Sequence, residues 1–90
     1  MTTASEMKFT NWSKDRIAQG RKFATCRRTR HDSDPRVKLI VHTNLGIVQD
    51  FMWQVEGCDS PEEFGNVWSE IYKEPFDRNK LCFVHFGDFR

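Results

Sequence analysis

Ninety residues, 38% of them apolar with eight Phe and three Trp, make one domain around one small core; the chain has no material for a second. No apolar run approaches the roughly 18 residues of a membrane span, and "MTTASEMKFT" lacks the apolar stretch of a signal peptide. The net charge of +1 selects no partner class, but residues 14–38 carry +6 and residues 50–77 carry −7, which predicts a dipolar molecule with one anion-attracting side.

In chain order, residues 1–12 read as a flexible tail and a first strand, and residues 13–90 as a single domain. "SKDRIAQG" reads as a short helix capped by Ser13 and ended by Gly20, too short to stand without tertiary support. "KFATCR", "VKLIVH" and "LCFVHFGDF" are rich in aromatic and β-branched residues and predict strands. "LGIVQDFMWQVEG" places Leu45, Val48, Met52 and Val55 at helical spacing, with Gly57 as a C-cap.

The clearest element is "SPEEFGNVWSEIY". Ser60 is an N-cap, Pro61 fits the first helical position, and Glu63 completes a capping box. Phe64, Val67, Trp68, Ile71 and Tyr72 form the apolar stripe of a helix lying on a core, and packing alone accounts for it. Pro75 limits the helix. The mixture is α+β, with strands meeting from both ends of the chain.

Cys26, Cys58 and Cys82 are odd in number and form no CxxC pair, so neither a disulfide framework nor a zinc site is predicted, and a reducing cytoplasm fits. Cys82 and His85 are three apart on a strand and point to opposite faces, which removes them as a ligand pair. His42 and His85 read as packed or surface histidines, and Trp53 as core rather than cleft. No cofactor is implied.

The stretch "GRKFATCRRTR", residues 20–30, concentrates base with no acid. On a strand, Ala24 and Cys26 take the inner face, while Phe23, Thr25 and Arg27 offer a ring, a hydroxyl and a guanidinium to a base and its phosphate. The plain alternative is a solvated basic edge strand whose charges discourage aggregation.

"GRKFATCR" resembles the G-x-K-x-x-T-x-R signature of the ASCH domains, a branch of the PUA-like superfamily, at Gly20, Lys22, Thr25 and Arg27. "VEGCDSPEEFGNVWSEIY" resembles that family's second block, and "LCFVHF" its closing strand, in the same order. The resemblance implies a small PUA-like β-barrel with two or three packed helices and a cleft lined by the Lys-Thr-Arg strand. Residues 31–44 are shorter than the corresponding family segment, which implies a shortened barrel and an open cleft.

The resemblance also implies RNA or single-stranded nucleic acid, or a nucleotide, as partner, bound by Arg21, Lys22, Phe23, Thr25, Arg27, Arg28 and Arg30. One ASCH group hydrolyses the amide of acetylated cytidine, and others are linked to ribonuclease activity. Carried over, the catalytic set is Lys22, Thr25 and Glu56: hydroxyl nucleophile, amine base, and carboxylate as proton donor or water-positioning group. In a regular strand Lys22 and Thr25 face opposite ways, so they meet only if Lys22 lies in the turn after Gly20 or a bulge intervenes. A protein-interaction module using the acidic helix face is the third reading.

Overall fold

The computed structural model describes residues 7–90. The elements run α1 (Asn11–Ala18), β1 (Ala24–Arg27), β2 (Val37–Asn44), α2 (Leu45–Phe51), α3 (Pro61–Tyr72) and β3 (Leu81–Gly87). The domain is α+β. The last strand is central: β3 pairs antiparallel with β1 and with β2, in the order β1-β3-β2, so the two ends of the chain share one sheet. The register sets Thr25 opposite His85, and His85 opposite Ile40.

The sheet does not close, and this corrects the expectation of a barrel. A single loop of residues 28–36 joins β1 to β2, and among the described residues only three strands form, too few to curl upon themselves. Helices cover the opening in place of further strands. Ala24, Cys26, Cys82 and Val84 of the sheet pack with Leu45 and Val48 of α2 and Phe64 and Trp68 of α3 in the main core.

The helix ends obey local chemistry more closely than the sequence reading did. Thr10, not Ser13, caps α1: its side chain accepts the Ser13 N–H, and Ser13 itself is buried one turn in. Gly20 follows the helix with φ +73, a conformation costly for any residue with a Cβ. α2 starts on an Asn44 cap and stops at Phe51, earlier than the apolar spacing implied. Beyond it the chain turns through residues 52–57, because the Val55 carbonyl is held by the backbone N–H groups of Phe23 and Ala24 instead of continuing a helix. α3 begins on Ser60 as expected, but Glu63 returns its carboxylate to the Asp59 N–H, one residue outside the usual box.

Of the expected tail and first strand over 1–12, residues 1–6 lie outside the described residues. Residues 7–10 form no strand, and residues 11 and 12 belong to α1. Met7 is buried with Ile17 and Phe89 in a second small cluster. Asp34 anchors it: one carboxylate oxygen accepts the Met7 N–H at 2.9 Å, the other accepts the Arg36 N–H at 2.9 Å, and Arg36 Nη2 donates at 2.7 Å.

Asp34 is 2% exposed, and the Arg36 hydrogen bond, with further backbone donors, holds its carboxyl well below the usual carboxylate range against the opposing effect of burial. Breaking such a pair by Asp34→Ala lowers the unfolding free energy by about 3 kcal/mol, read by urea denaturation. The folded-state value is depressed, so the contribution is complete above the unfolded value of about 3.9 and is lost as pH falls through the folded value. The gap between wild type and variant therefore narrows below about pH 4.

Candidate functional site

Lys22 sits in the connection between Gly20 and β1, outside the regular strand. That irregular entry answers the spacing problem: Phe23 and Ala24 both donate to the Val55 carbonyl, at 2.8 and 3.0 Å, so alternation starts only at Ala24. Lys22 and Thr25, each 5% exposed, turn into the same internal chamber. Phe23 is 49% exposed and turns outward, which corrects its expected place beside Thr25.

Glu56 comes from the turn that follows α2. Lys22 Nζ donates to its Oε1 at 3.1 Å and to its backbone carbonyl at 3.0 Å. Glu56 is 3% exposed, and burial pushes its carboxyl up against the opposing charge and hydrogen bond of Lys22. Gly57 makes the approach possible. Its φ is +91, and an added Cβ would lie 3.0 Å from Arg16 Cβ and 3.2 Å from Lys22 Cβ.

Thr25 is held by its neighbour two residues on. Arg27 Nε–H donates to Thr25 Oγ1 at 3.1 Å, Arg27 Nη2 donates to the Lys8 carbonyl at 2.8 Å, and the guanidinium lies 4.9 Å from the Phe9 ring centroid. Burial lowers the Arg27 pKa.

The chamber has about 70 Å³ of free volume and is walled by Lys22, Thr25, Glu56, Trp68 and Tyr72 among others. It adjoins a mouth of about 400 Å³ lined by Thr10, Trp12, Val67, Glu70, Ile71 and Lys73. Trp68 is 3% exposed and belongs to the helical stripe that sequence reading assigned to packing alone. All five residues of that stripe line the chamber, and Phe64 and Trp68 pack in the main core as well. No periodicity separates a core Trp from a wall Trp; the signal available was only that this stripe follows Glu56 and Gly57 so closely.

Neither cysteine on the wall is a nucleophile at neutral pH. Burial pushes the Cys58 thiol up to about 12, and a hydrogen bond with Cys82, then burial, pushes Cys26 up as well. His85 lies on the other side of β3, with Nε2 accepting the His31 N–H at 3.0 Å and Nδ1 3.1 Å from the Phe83 carbonyl. Those partners assign the proton to Nδ1. His42 stacks on Phe83 with centroids 4.5 Å apart, and Trp53 packs against the main core.

The remaining arginines do not line the chamber. Arg21 pairs with Asp59, Arg28 pairs with Glu74 and lies 4.4 Å from the Tyr72 ring centroid, and Arg30 pairs with Asp32. Arg16 adds contacts to Asp59 and Glu63 at 3.7 Å. The basic and acidic segments of the sequence thus dock on each other, where a molecule with one anion-attracting side was expected. No protein-family model, no curated protein and no solved structure matches this chain.

The buried pair carries a stability prediction. Lys22→Met leaves the Glu56 carboxylate without its counter-charge and lowers stability by about 3–5 kcal/mol, whereas Lys22→Met with Glu56→Leu recovers most of the loss. Urea denaturation of the two single variants and the double variant measures the coupling; purely additive losses would show that the two charges do not depend on one another.

Proposed function

We propose that the chain is a shortened ASCH-like domain of PUA-like type that binds a nucleobase-bearing ligand, RNA or a nucleotide, in the cleft between β1 and α3. The observation that carries this reading is the convergence of Lys22, Thr25 and Glu56 on one chamber with an aromatic-walled mouth. The chamber is too small for a whole base, while the mouth falls in the usual range for small-ligand pockets. A base can therefore rest on Trp12 and Ile71 and send its polar edge inward.

Lys8 and Lys73 stand at the rim for phosphates, with Arg21 and Arg28 beyond them. Their carboxylate partners do not block this, because exposed ion pairs are worth about 0–1 kcal/mol and a phosphate can displace them. The protein-interaction reading is weakened by the same pairs: Glu63 and Glu74 are engaged by Arg16 and Arg28. Three free, buried thiols suit a cytoplasmic setting.

Binding of single-stranded RNA is expected to weaken steeply between low and physiological salt, and Arg21→Ala and Arg28→Ala each to reduce the salt slope by about one. Titration at several salt concentrations measures both. Affinity indifferent to salt and to both substitutions would refute phosphate contact.

Hydrolysis of acetylated cytidine is the second reading, favoured by the 3.1 Å contact between two buried groups that can exchange a proton. Lys22 becomes a base by passing its proton to Glu56, and the burial that raises Glu56 eases that transfer. The Thr25 hydroxyl then attacks the acetyl carbonyl, losing its proton to the Lys22 amine. The amide C–N bond breaks, the exocyclic nitrogen takes a proton from Glu56, and water hydrolyses the acetyl-threonine ester to acetate. Thr25→Ala and Lys22→Ala should each abolish acetate release, and Thr25→Ser should retain part of it. No acetate from the wild-type protein at any pH leaves the binding reading alone.

A further inference from the structure

Among the described residues, two buried side-chain polar atoms have no hydrogen-bond partner: Glu56 Oε2 and Trp68 Nε1. Both residues are 3% exposed, and both wall the same chamber. Buried polar groups are nearly always satisfied, so two orphans on residues that wall one small space point to an occupant. They are opposite in kind. The indole N–H only donates, and an ionised carboxylate oxygen only accepts.

The other buried polar side chains on the wall already have protein partners. Glu56 Oε1 takes Lys22, Thr25 Oγ1 takes Arg27, and the Tyr72 hydroxyl reaches the Cys26 carbonyl at 3.4 Å. The occupant must therefore bring one acceptor and one donor. About 70 Å³ holds roughly four or five water-sized groups, enough for a planar unit of about four heavy atoms.

We propose that the chamber binds a planar amide group, with Trp68 Nε1–H donating to its carbonyl oxygen and Glu56 Oε2 accepting from its N–H. Other small groups fit worse. A carboxylate adds an anion beside Glu56 and leaves Oε2 unsatisfied. An ammonium duplicates the charge of Lys22 and leaves the indole without an acceptor, and a ketone or ester serves the indole alone. An amide satisfies both orphans and adds no net charge to a desolvated site.

For the source of that group the inference rests on the nucleobase reading, and names the edge that enters: a ring C=O and N–H such as uridine presents. A free carboxamide has the same chemistry. Trp68 is then the residue that sets specificity, since its indole N–H is a buried donor without a protein partner and cannot also accept.

The test uses the full chain and three probes. In nitrogen–proton spectra the three indole N–H signals, assigned by single Trp→Phe variants, are followed while acetamide, then N,N-dimethylacetamide, is added. Acetamide is expected to move the Trp68 signal and leave that of Trp53, which lines neither the chamber nor its mouth, in place, and the dimethyl compound, which lacks the N–H, to bind more weakly. Uridine is expected to bind about tenfold more tightly than N3-methyluridine, and Trp68→Phe to weaken uridine by about tenfold while Trp53→Phe does not. The wild-type titrations need no variant, so a destabilised Trp68→Phe does not leave the question open. Acetamide that leaves the Trp68 signal unmoved overturns the inference. Uridine binding indifferent to N3-methylation and to Trp68→Phe keeps the nucleobase reading and overturns the amide chamber. Acetamide response without any uridine binding keeps the amide chamber and removes the nucleobase reading.

Discussion

The pairing of Lys22 with Glu56, 34 residues apart in sequence, is the constraint on which the cleft depends. It brings the entry to β1 against the turn after α2, and the backbone follows: Val55 accepts two N–H groups from the β1 side, and Gly57 takes a positive φ to let the lysine stem pass. Two desolvated charges are no net bargain compared with a hydrophobic pair of similar volume. Their effect is on specificity. A carboxylate buried at this point has one ammonium that can satisfy it, so alternative packings of the 52–58 turn against β1 leave a charge unpaired.

The same pairing explains the division of charge along the chain. Read as a string, +6 and −7 segments suggest two poles; folded, Arg16, Arg21, Lys22 and Arg28 lie against Asp59, Glu63, Glu56 and Glu74. Opposite blocks attract at the range of a Debye length, about 8 Å at physiological salt, so they can help the two halves of the chain find one another before the sheet is complete. The surface pairs contribute little individually, whereas breaking the single buried one leaves a charge uncompensated.

How much of this was legible follows from the range of the interactions involved. The α3 start was readable because Ser60, Pro61 and Glu63 act within one turn, and the three strands were readable from β-branched and aromatic runs. The α1 cap was misread by three residues because Thr10 and Ser13 are chemically equivalent candidates, and burial of Ser13 decides between them. The end of α2 was hidden because its last expected turn is undone by a tertiary contact, the capture of the Val55 carbonyl. Lys22, Thr25 and Glu56 were named from a motif, but their sharing of one chamber depends on Lys22 lying before the strand, which strand alternation alone forbids. Trp68 does pack in the main core, as its place in the stripe implies; that it also walls the chamber was not legible, because a helical stripe has the same spacing whether it faces a core or a cavity.

A cleft built this way separates two kinds of recognition. The rim cations are already half neutralised by carboxylates, so the long-range field that would steer a polyanion is weaker than the sequence suggests. Inside, the balance is reversed: the Lys22 and Glu56 charges are buried, each hydrogen bond is electrostatically stronger, and an unsatisfied group is correspondingly costly. On the proposed nucleobase reading, selectivity comes from the match of a few donors and acceptors held by the fold, and phosphate contacts outside add affinity with little discrimination. Arg27 links the two regions. Its guanidinium fixes the Thr25 hydroxyl from one side and grips the Lys8 carbonyl and the Phe9 ring on the other, so the segment that leads into α1 is pinned to the wall of the chamber. Loosening Arg27 therefore disturbs the hydroxyl, the rim and the second small core together, which makes it a poor probe of phosphate contact and a sensitive one of how well the chamber is held in shape.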